Sequence, residues 1–399
     1  MKKRFDIVIV GAGMVGLTIA CLLAASRASG KIALRVIDAG SRAQFNADED
    51  VSLRVSAISI GSMNTFADIR VWDAVRAQRA CAYRDMRVWD AGGHADGPET
   101  LRFDAADFAV PELGFIVEND LIQHCLQDRL ESLGIAVEFG TRIAAVKREA
   151  RRFAVETGGE TLHPDLLIAA DGGASFVRTS VGIPVSAWRY RQDAFVTHLR
   201  PERSHRNTAW QRFLPTGPVA LLPLCDGRVS TVWSTTPAQA EAAAAAGDEE
   251  LGDMLSEATD HVLGHLRPAG PHGAFPLRAQ HASRYVMPGL ALVGDAAHSV
   301  HPLAGQGANL GIADARVLAQ VVSTAMGAGE HPGDMPVLRR YERARKGANR
   351  TMLYFVDSLN RLFAIDASPV ARLRGIGMRL FNSSGPIRQR AVQVALGIT

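Results

Sequence analysis

Short apolar runs that end in glycine-containing turns recur along the chain, and segments with helical periodicity separate them. Residues 5–10 (FDIVIV) form a β-branched run, which leads through a glycine-rich turn into a helix-prone segment at 17–26. Further apolar runs lie at 33–37, 165–170 and 291–293. Continuous apolar runs that alternate with helical segments are typical of buried parallel strands joined by helices. The pattern predicts an α/β fold with a Rossmann-like lobe.

A different pattern begins near residue 186 and continues to about 285. Strand-like runs at 219–224 and 228–233 flank Cys225-Asp226-Gly227, which is a strong hairpin signal, and 195–199 and 210–214 are also strand-like. Segments 238–246 and 248–263 have helical character. We expect a second, mixed-sheet lobe with one face towards a ligand and helices on the other.

The two predicted lobes are interleaved along the chain. The Rossmann-like lobe is assigned residues 1–84, 111–185 and 286–350, with helices expected at 62–72 and 120–134. The second lobe is assigned a hairpin at 85–110 and the segment 186–285, and C-terminal helices are expected over 351–399. The expected fold class is therefore α/β, with a Rossmann-like lobe, a mixed-sheet substrate lobe and C-terminal helices.

Composition excludes several classes of protein. The chain has 399 residues, 47% hydrophobic content and a formal net charge of +3, which is too small to indicate a nucleic-acid partner. Its four cysteines are far apart and form no C-x-x-C pair, so neither a metal site nor a disulfide framework is expected. A reducing cytoplasm is the expected location.

The N-terminus superficially resembles a secretory signal, because a Met-Lys-Lys-Arg start precedes an apolar segment. Asp6 interrupts that segment, and its glycines have a better explanation as a binding motif. No later stretch approaches the ~20 uncharged apolar residues that a membrane span needs.

The first turn carries a dinucleotide-binding fingerprint. Gly11 is suited to the tight turn, Gly13 to the approach of a pyrophosphate, and Gly16 to close packing of helix against strand. Asp38 ends the second strand at the expected distance of ~20 residues and is suited to the ribose hydroxyls. NAD and FAD share this motif, so it does not choose between them.

Two more turns combine acids with glycines. Asp171 and Gly172 follow the apolar run at 165–170, where open α/β sheets bind ligands, although a purely structural turn is the alternative. Asp295 follows the run at 291–293, and Gly305, Gly307 and Gly311 then crowd the start of a helix. Bare backbone N–H groups there suit a flat or anionic ligand.

The tail from 367 to 399 contains five arginines and no acid among apolar residues. Basic amphipathic helices bind anionic membrane surfaces, and packing on the protein body is the alternative.

Taken together, GAGMVG, Asp38, RVSAIS, ADGGASFVR, LVGDAAHSVHP and AGQGANLGIAD resemble the FAD-dependent aromatic hydroxylases of the para-hydroxybenzoate hydroxylase fold, the group A flavin monooxygenases. The block AAHSVHPLAGQGANLG, with the RVWD, FIVEN, ALLPL and RARKGANR elements, resembles the ubiquinone-biosynthesis branch. The one departure is Asp38, where relatives commonly have Glu.

The resemblance implies FAD as the cofactor and assigns residues to it. Gly11, Gly13, Val15, Gly16 and Asp38 would hold the ADP half, with Arg54 and Gln123 near the pyrophosphate or ribose. Asp171 matches a signature element that touches FAD and the path of the reductant. Asp295 would hydrogen-bond the ribitol, and the loop at Pro302, Gly305, Gly307, Ala308 and Asn309 would contact the isoalloxazine.

The resemblance also implies the reaction: ring hydroxylation of a polyprenylated phenol in ubiquinone biosynthesis through a flavin C4a-hydroperoxide, with NAD(P)H and O2 as co-substrates. Docking at the inner membrane face or on a quinone-biosynthesis complex would use the basic tail. His298 and His301 are candidate proton donors, with a structural role as the alternative. A small soluble phenol or alkene as substrate, and an FAD-binding module without turnover, remain open. A halogenase is disfavoured because no Trp-x-Trp pair occurs.

Overall fold

The computed structural model describes residues 5–26, 30, 32–150, 152–301, 305–365 and 367–398. In chain order, its first elements are β1 (Phe5–Val10), α1 (Met14–Ala25), β2 (Ile32–Ile37), β3 (Val55–Ser59), α2 (Ile60–Asp68), α3 (Trp72–Arg79), β4 (Cys81–Tyr83), β5 (Asp85–Asp90), β6 (Leu101–Asp104), β7 (Gly114–Glu118) and α4 (Asn119–Ser132). The chain continues through β8 (Val137–Glu138), β9 (Ile143–Glu149), β10 (Arg152–Thr157), β11 (Thr161–Leu162), β12 (Leu166–Ala169) and α5 (Phe176–Ser180).

The remaining elements are β13 (Val185–Pro201), β14 (Thr208–Leu214), β15 (Gly217–Pro223), β16 (Val229–Thr235), α6 (Pro237–Ala245), α7 (Asp248–Ala258), β17 (Leu266–Ala282), β18 (Val286–Met287), β19 (Leu290–Leu292), β20 (His298–Ser299), α8 (Gln306–Gly327), α9 (Met335–Phe363), α10 (Ser368–Ser383) and α11 (Pro386–Leu396).

The predicted Rossmann-like lobe is present as a sheet of six strands among the described residues. Its order is β18-β19-β12-β1-β2-β8, and β1 pairs in parallel with both β2 and β12. All four residues of β12 and five of the six in β1 are buried, which explains their continuous apolar sequences. The carboxyl ends of β1, β12 and β19 meet at one edge, where α/β sheets bind ligands.

The second lobe is built on a sheet of order β20-β17-β13-β16-β15-β14-β5-β6. One face packs on α6 and α7 through a buried cluster that includes Phe195, Leu221, Trp233 and Leu255. The alternate residues of the same strands point to the opposite face, since side chains alternate along a strand. The α/β fold class and the helical flank are therefore confirmed.

Two helix predictions were wrong in their boundaries. The helix predicted over 62–72 is α2, which spans Ile60–Asp68 and so ends four residues early; left-handed Arg70, with φ of 60°, follows it, and α3 begins at Trp72. The helix predicted over 248–263 ends at Ala258, and left-handed Asp260 and His261 follow it. In both places, left-handed residues end the helix although the local sequence pattern is still helical.

Within the described ranges, no helix is both long enough and apolar enough to cross a bilayer.

Candidate active site

The turn between β1 and α1 has the close backbone approaches that its glycines require. Gly11 has φ of 104°, its N–H donates to the Ile37 carbonyl at 2.8 Å, and a Cβ there would collide with the Ala170 carbonyl. A Cβ on Gly16 would collide with the Gly11 carbonyl. Gly13 differs, because nothing lies within 4 Å of its ideal Cβ and it borders the main cleft. Gly11 and Gly16 thus serve packing, whereas Gly13 keeps space for a ligand.

Asp38 lies at the end of β2 and organises the same turn. Its Oδ2 accepts a hydrogen bond from the Ala12 N–H at 2.6 Å, and its Oδ1 accepts one from the Gly40 N–H at 2.6 Å. Each carboxylate oxygen has two lone pairs, so acceptor capacity remains for a diol.

Asp295 occupies the short turn after β19, with its side chain exposed towards the main cleft. Desolvation by the atoms packed around it raises the pKa of this carboxyl, and the electrostatic effects of His298 and Arg54 act in the opposite direction. Gly294, with φ of 56°, and Gly311 pack against the methyl groups of Val15. Val15 therefore fixes where α1, α8 and the Asp295 turn meet.

The start of α8 brings glycines to the same cleft. Gly305 adopts φ of 63°, and a Cβ on it would lie 2.8 Å from the Ala57 Cβ. Gly305, Gly307 and Ala308 all line the cleft. Pro302, which the sequence also assigned to this loop, lies outside the described residues.

The side chain of Asn309, which the sequence assigned to the flavin-contacting loop, is turned into the protein. Its Oδ1 accepts hydrogen bonds from the Ser59 N–H at 3.0 Å and the Ser62 hydroxyl at 2.7 Å, and its Nδ2 donates to the Ala57 carbonyl at 2.9 Å. The side chain is buried and joins α8 to β3 and α2. It braces the loop and is not among the residues that line the cleft.

Asp171 also acts within its own turn. Its Oδ1 accepts from the Ser175 hydroxyl at 2.6 Å, and its Oδ2 accepts from the Val177 N–H at 3.0 Å. The adjacent Gly172 borders the cleft instead. Arg54 and Gln123 also line the cleft, as their assignment to the cofactor requires.

The cleft joins the two lobes and encloses about 850 Å³. One side carries the glycine turns, Arg54, Gln123 and Asp295. The other side is the free face of the second-lobe sheet, formed by Met86, Ala194, Val196, Ala209, Gln211, Pro218, Ala220, Leu222, Ser230, Val232 and Ser234. These eleven wall residues are uncharged, and Arg278 of β17, on the same sheet, adds one cation to the cleft lining. Apart from Arg278, the described sheet side of the cleft is neutral and largely apolar.

Neither candidate histidine is among the residues lining this cleft. His298 is buried, and its Nε2 lies 2.6 Å from Oδ2 of Asp314. His301 is fully buried, its Nε2 lies 3.3 Å from Oε1 of Gln192, and burial lowers its pKa to about 4. The geometry supports the structural alternative for both.

Sequence reasoning missed Asp314, Gln211 and Ser230. Asp314 has no exposed surface and holds the Asp295 turn through the Gly294 N–H and His298. Gln211 and Ser230 are buried in the cleft wall, and no described residue hydrogen-bonds either side chain. Strand alternation was the available signal for the last two. The described residues contain no group of three or more metal-ligating side chains that could hold a metal ion.

Comparison with known proteins defines the class. Residues 4–355 match a family described as "FAD binding domain", so the chain belongs to the FAD-binding domain family. The 3-demethoxyubiquinol 3-hydroxylase of Escherichia coli is 37% identical over 98% of each chain. The human ubiquinone biosynthesis monooxygenase COQ6 is 35% identical, with 98% of this chain and 92% of the relative covered.

Solved structures share the fold. The p-nitrophenol 4-monooxygenase of Pseudomonas putida has a TM-score of 0.76 at 18% identity, covering 99% of this chain and 97% of its own. HpxO of Klebsiella pneumoniae, solved with FAD, has a TM-score of 0.73 at 21% identity, covering 99% and 100%. The protein is an FAD-dependent monooxygenase, and the open space at Gly13 and the glycine-lined cleft fit that cofactor.

Proposed function

We propose that this monooxygenase hydroxylates the aromatic ring of a polyprenylated phenol in ubiquinone biosynthesis, with NAD(P)H and O2 as co-substrates. The observation that carries the proposal is the cleft itself, where a glycine-lined, dinucleotide-type side faces a largely apolar sheet surface whose one charged lining residue, among those the structure describes, is Arg278. The names of the Escherichia coli and human relatives support the same pathway.

The residues that would hold FAD follow from their positions. Gly13 leaves room for the pyrophosphate at the start of α1, Asp38 would accept from the ribose, and Asp295 would bond the ribitol. Arg54 and Gln123 border the cleft between these points. When bound, FAD passes electrons from the reductant to O2 and activates oxygen for transfer to the ring.

The chain's own contribution is binding and electrostatics. The N-terminus of α8, at Gly307 and Ala308, presents the positive end of a helix dipole to the cleft. That end stabilises negative charge on a ring system placed against it. Since both histidines lie behind the cleft lining, no side-chain nucleophile or histidine base is assigned.

The opposite wall defines the substrate class. A carboxylated phenol would lose hydration against this wall wherever its carboxylate does not reach Arg278, the one cation that the described sheet residues contribute to the cleft lining. A neutral phenol with an apolar tail has no such cost. Gln211 and Ser230 supply neutral polar groups for ring oxygens, and Val196, Leu222 and Val232 supply apolar contact.

A direct test supplies the FAD-loaded protein with NADPH, O2 and one of three phenols: a prenylated phenol, the same phenol with a ring carboxylate, and its unprenylated form. The prenylated phenol without carboxylate should stimulate oxygen consumption and gain one oxygen atom by mass spectrometry. Stimulation only by the carboxylated or unprenylated phenol would support a small soluble substrate instead. Absence of stimulation by any of the three phenols would support an FAD-binding module. As a separate check of the cofactor contact, Asp295→Ala should yield largely flavin-free protein.

The C-terminal helices support a peripheral docking role. Ten of the twelve large apolar side chains that are exposed among the described residues fall between Tyr354 and Ile398. On α10, Leu373, Ile376 and Leu380 repeat at helical spacing and are each more than half exposed. We call these three residues the α10 face.

Charge on these helices is divided between anchoring and exposed positions. Arg374 pairs with Asp90, Arg379 with Glu99 and Arg388 with Asp107, so these three tie the helices to the body. Arg372 and Arg390 are exposed and form no ion pair within the described residues. Exposed cations beside an apolar stripe are complementary to an anionic membrane surface.

Replacement of Leu373, Ile376 and Leu380 by Ser should abolish co-sedimentation with anionic vesicles and preserve FAD content. Phe176→Ser is the matched control, because Phe176 is exposed outside this region. Unchanged sedimentation would refute membrane docking, and equal binding to neutral vesicles would refute its electrostatic part. Point substitutions are preferable to deletion of the tail because Met378 and Leu396 are buried in the body.

A further inference from the structure

A second cleft lies between the two lobes and contains two cysteines. It encloses about 560 Å³, and Cys81 and Cys225 line it together with Arg79, Glu118 and Arg228. Cys81 is on β4, which pairs with β7 in the first lobe, and Cys225 is in the turn between β15 and β16 of the second lobe. The cysteines therefore come from different lobes.

Packing brings these two residues together. Cys81 is buried in a cluster with Ala57, Ile116 and Leu224, and Cys225 directly follows Leu224 in the chain. Strand β15 contacts β4 along this boundary. The two side chains line the same cleft, each thiol shifts the pKa of the other, and both thiols are free.

The two sulfur atoms have different chemical environments. Contact with Cys81 lowers the pKa of the Cys225 thiol, and Cys225 is exposed in its turn. Contact with Cys225, and then burial, raises the pKa of the Cys81 thiol. An accessible thiol with a lowered pKa beside a second thiol is the arrangement of an attacking and a resolving cysteine.

Cys21 and Cys125 differ from Cys225 both in burial and in the direction of the pKa shift. Burial raises the pKa of Cys21 to about 12 and that of Cys125 to about 11. Both are buried within the first lobe, and neither lines the second cleft. They are therefore internal controls for thiol chemistry at this boundary.

We propose that Cys81 and Cys225 are a redox-modification site at which a peroxide forms a reversible disulfide between the FAD lobe and the substrate lobe. The Cys225 thiolate attacks one oxygen of hydrogen peroxide, the O–O bond breaks, and the departing hydroxide takes a proton to become water. The resulting sulfenic acid is attacked at sulfur by Cys81, which loses its proton, and a second water leaves. Two thiols thus lose two electrons, and one peroxide gains them.

The cross-link has a consequence for turnover because the two clefts are adjacent. Val55 lines both the main cleft and the second cleft. A covalent bond at this boundary restricts relative movement of β3–β4 and the β15–β16 hairpin, whose strands form walls of the main cleft. Oxidation should therefore lower turnover about tenfold or more while FAD stays bound.

The experiment treats the FAD-loaded protein with hydrogen peroxide, removes the peroxide, unfolds the protein in an excess of alkylating reagent so that the buried thiols also react, and maps peptides by mass spectrometry. The expected product has a Cys81–Cys225 cross-link, alkylated Cys21 and Cys125, and full recovery with dithiothreitol. Cys225→Ser should remove the cross-link and the peroxide sensitivity together, whereas Cys125→Ser should retain both.

Four alkylated thiols after peroxide treatment would overturn the proposal. A terminally oxidised Cys225 beside a free Cys81 would also overturn it, because Cys81 would then not resolve the sulfenic acid. Cross-linked protein with unchanged turnover would overturn the proposed effect on the main cleft. FAD content, read from flavin absorbance, separates that effect from cofactor loss.

Discussion

Replacement of Asp314 by Asn tests whether a buried charge network holds the cofactor turn. Oδ1 of Asp314 accepts from Nε of Arg345 at 2.7 Å and from Nδ2 of Asn349 at 3.0 Å. Oδ2 accepts from the Gly294 N–H at 3.2 Å and contacts Nε2 of His298 at 2.6 Å. Asn preserves the shape but substitutes an NH2 donor for one acceptor, and it leaves the Arg345 guanidinium without its counter-ion.

The expected loss is large because the carboxylate has no exposed surface and Arg345 is largely buried. Removal of one member of a buried ion pair costs about 3–5 kcal/mol, a sizeable share of the ~5–15 kcal/mol that stabilises a typical domain. Burial alone would raise the pKa of Asp314, but His298, Arg345 and Asn349 together lower it. The stabilisation is therefore present above the ordinary Asp pKa and is lost as pH falls through the lower folded value.

The assay is urea unfolding at pH 7.5 with saturating FAD, because bound ligand itself shifts apparent stability. Asp68→Asn is the matched control, since Asp68 pairs with Arg316 on the same helix α8 and both side chains are about half exposed. The control should lose less than ~1 kcal/mol. Equal losses in the two variants would refute the buried-network account.

Three further predictions concern the turn, the cleft wall and pH. Gly11→Ala should reduce soluble folded protein because its Cβ meets the Ala170 carbonyl, whereas Gly13→Ala should leave apo-protein unfolding unchanged and weaken FAD binding in a fluorescence titration. Gln211→Met removes a polar group from the cleft wall, so kcat/KM should fall about ten- to a hundredfold more for a substrate with a ring hydroxyl than for its deoxy analogue. Val232→Ala, the control, should change kcat/KM for both substrates by the same factor. The pKa of His301 is about 4 in the folded protein and 6.5 in the unfolded chain, so the unfolded state is protonated first as pH falls, and the folded state loses stability. His301→Asn should therefore reduce the stability lost between pH 7 and pH 5 by about 2 kcal/mol, measured by thermal melts.

Much of the fold could be predicted from local sequence patterns, because strands, helices and tight turns depend mainly on residues close together in the chain. The Gly11–Gly16 turn requires close backbone contact between β1 and α1, and that requirement is visible in the spacing of its glycines. The continuous apolar runs of β1 and β12 reflect burial on both faces of a parallel sheet. The hairpin around Cys225-Asp226-Gly227 reflects turn chemistry alone.

Tertiary structure decided which polar residues turn inward to the protein and which face the cleft. Asp171, Asn309 and His298 have the residue types of a ligand site, but their side chains are already used. Asp171 accepts hydrogen bonds within its own turn, whereas Asn309 bonds β3 and His298 contacts Asp314. Gln211 and Ser230 resemble ordinary strand residues in sequence, yet they line the cleft, and their side chains have no hydrogen-bond partner among the described residues.

The sequence by itself determined the α/β class, the dinucleotide turn and the helical flank of the second lobe, since periodicity and turn chemistry are local properties. Only the tertiary structure placed Asp314 beneath the Asp295 turn, ended α2 at Asp68 before left-handed Arg70, and placed Cys81 and Cys225 in one cleft. Each of these depends on contacts between segments far apart in the chain, and the free energy of such contacts is set by packing that no local pattern records.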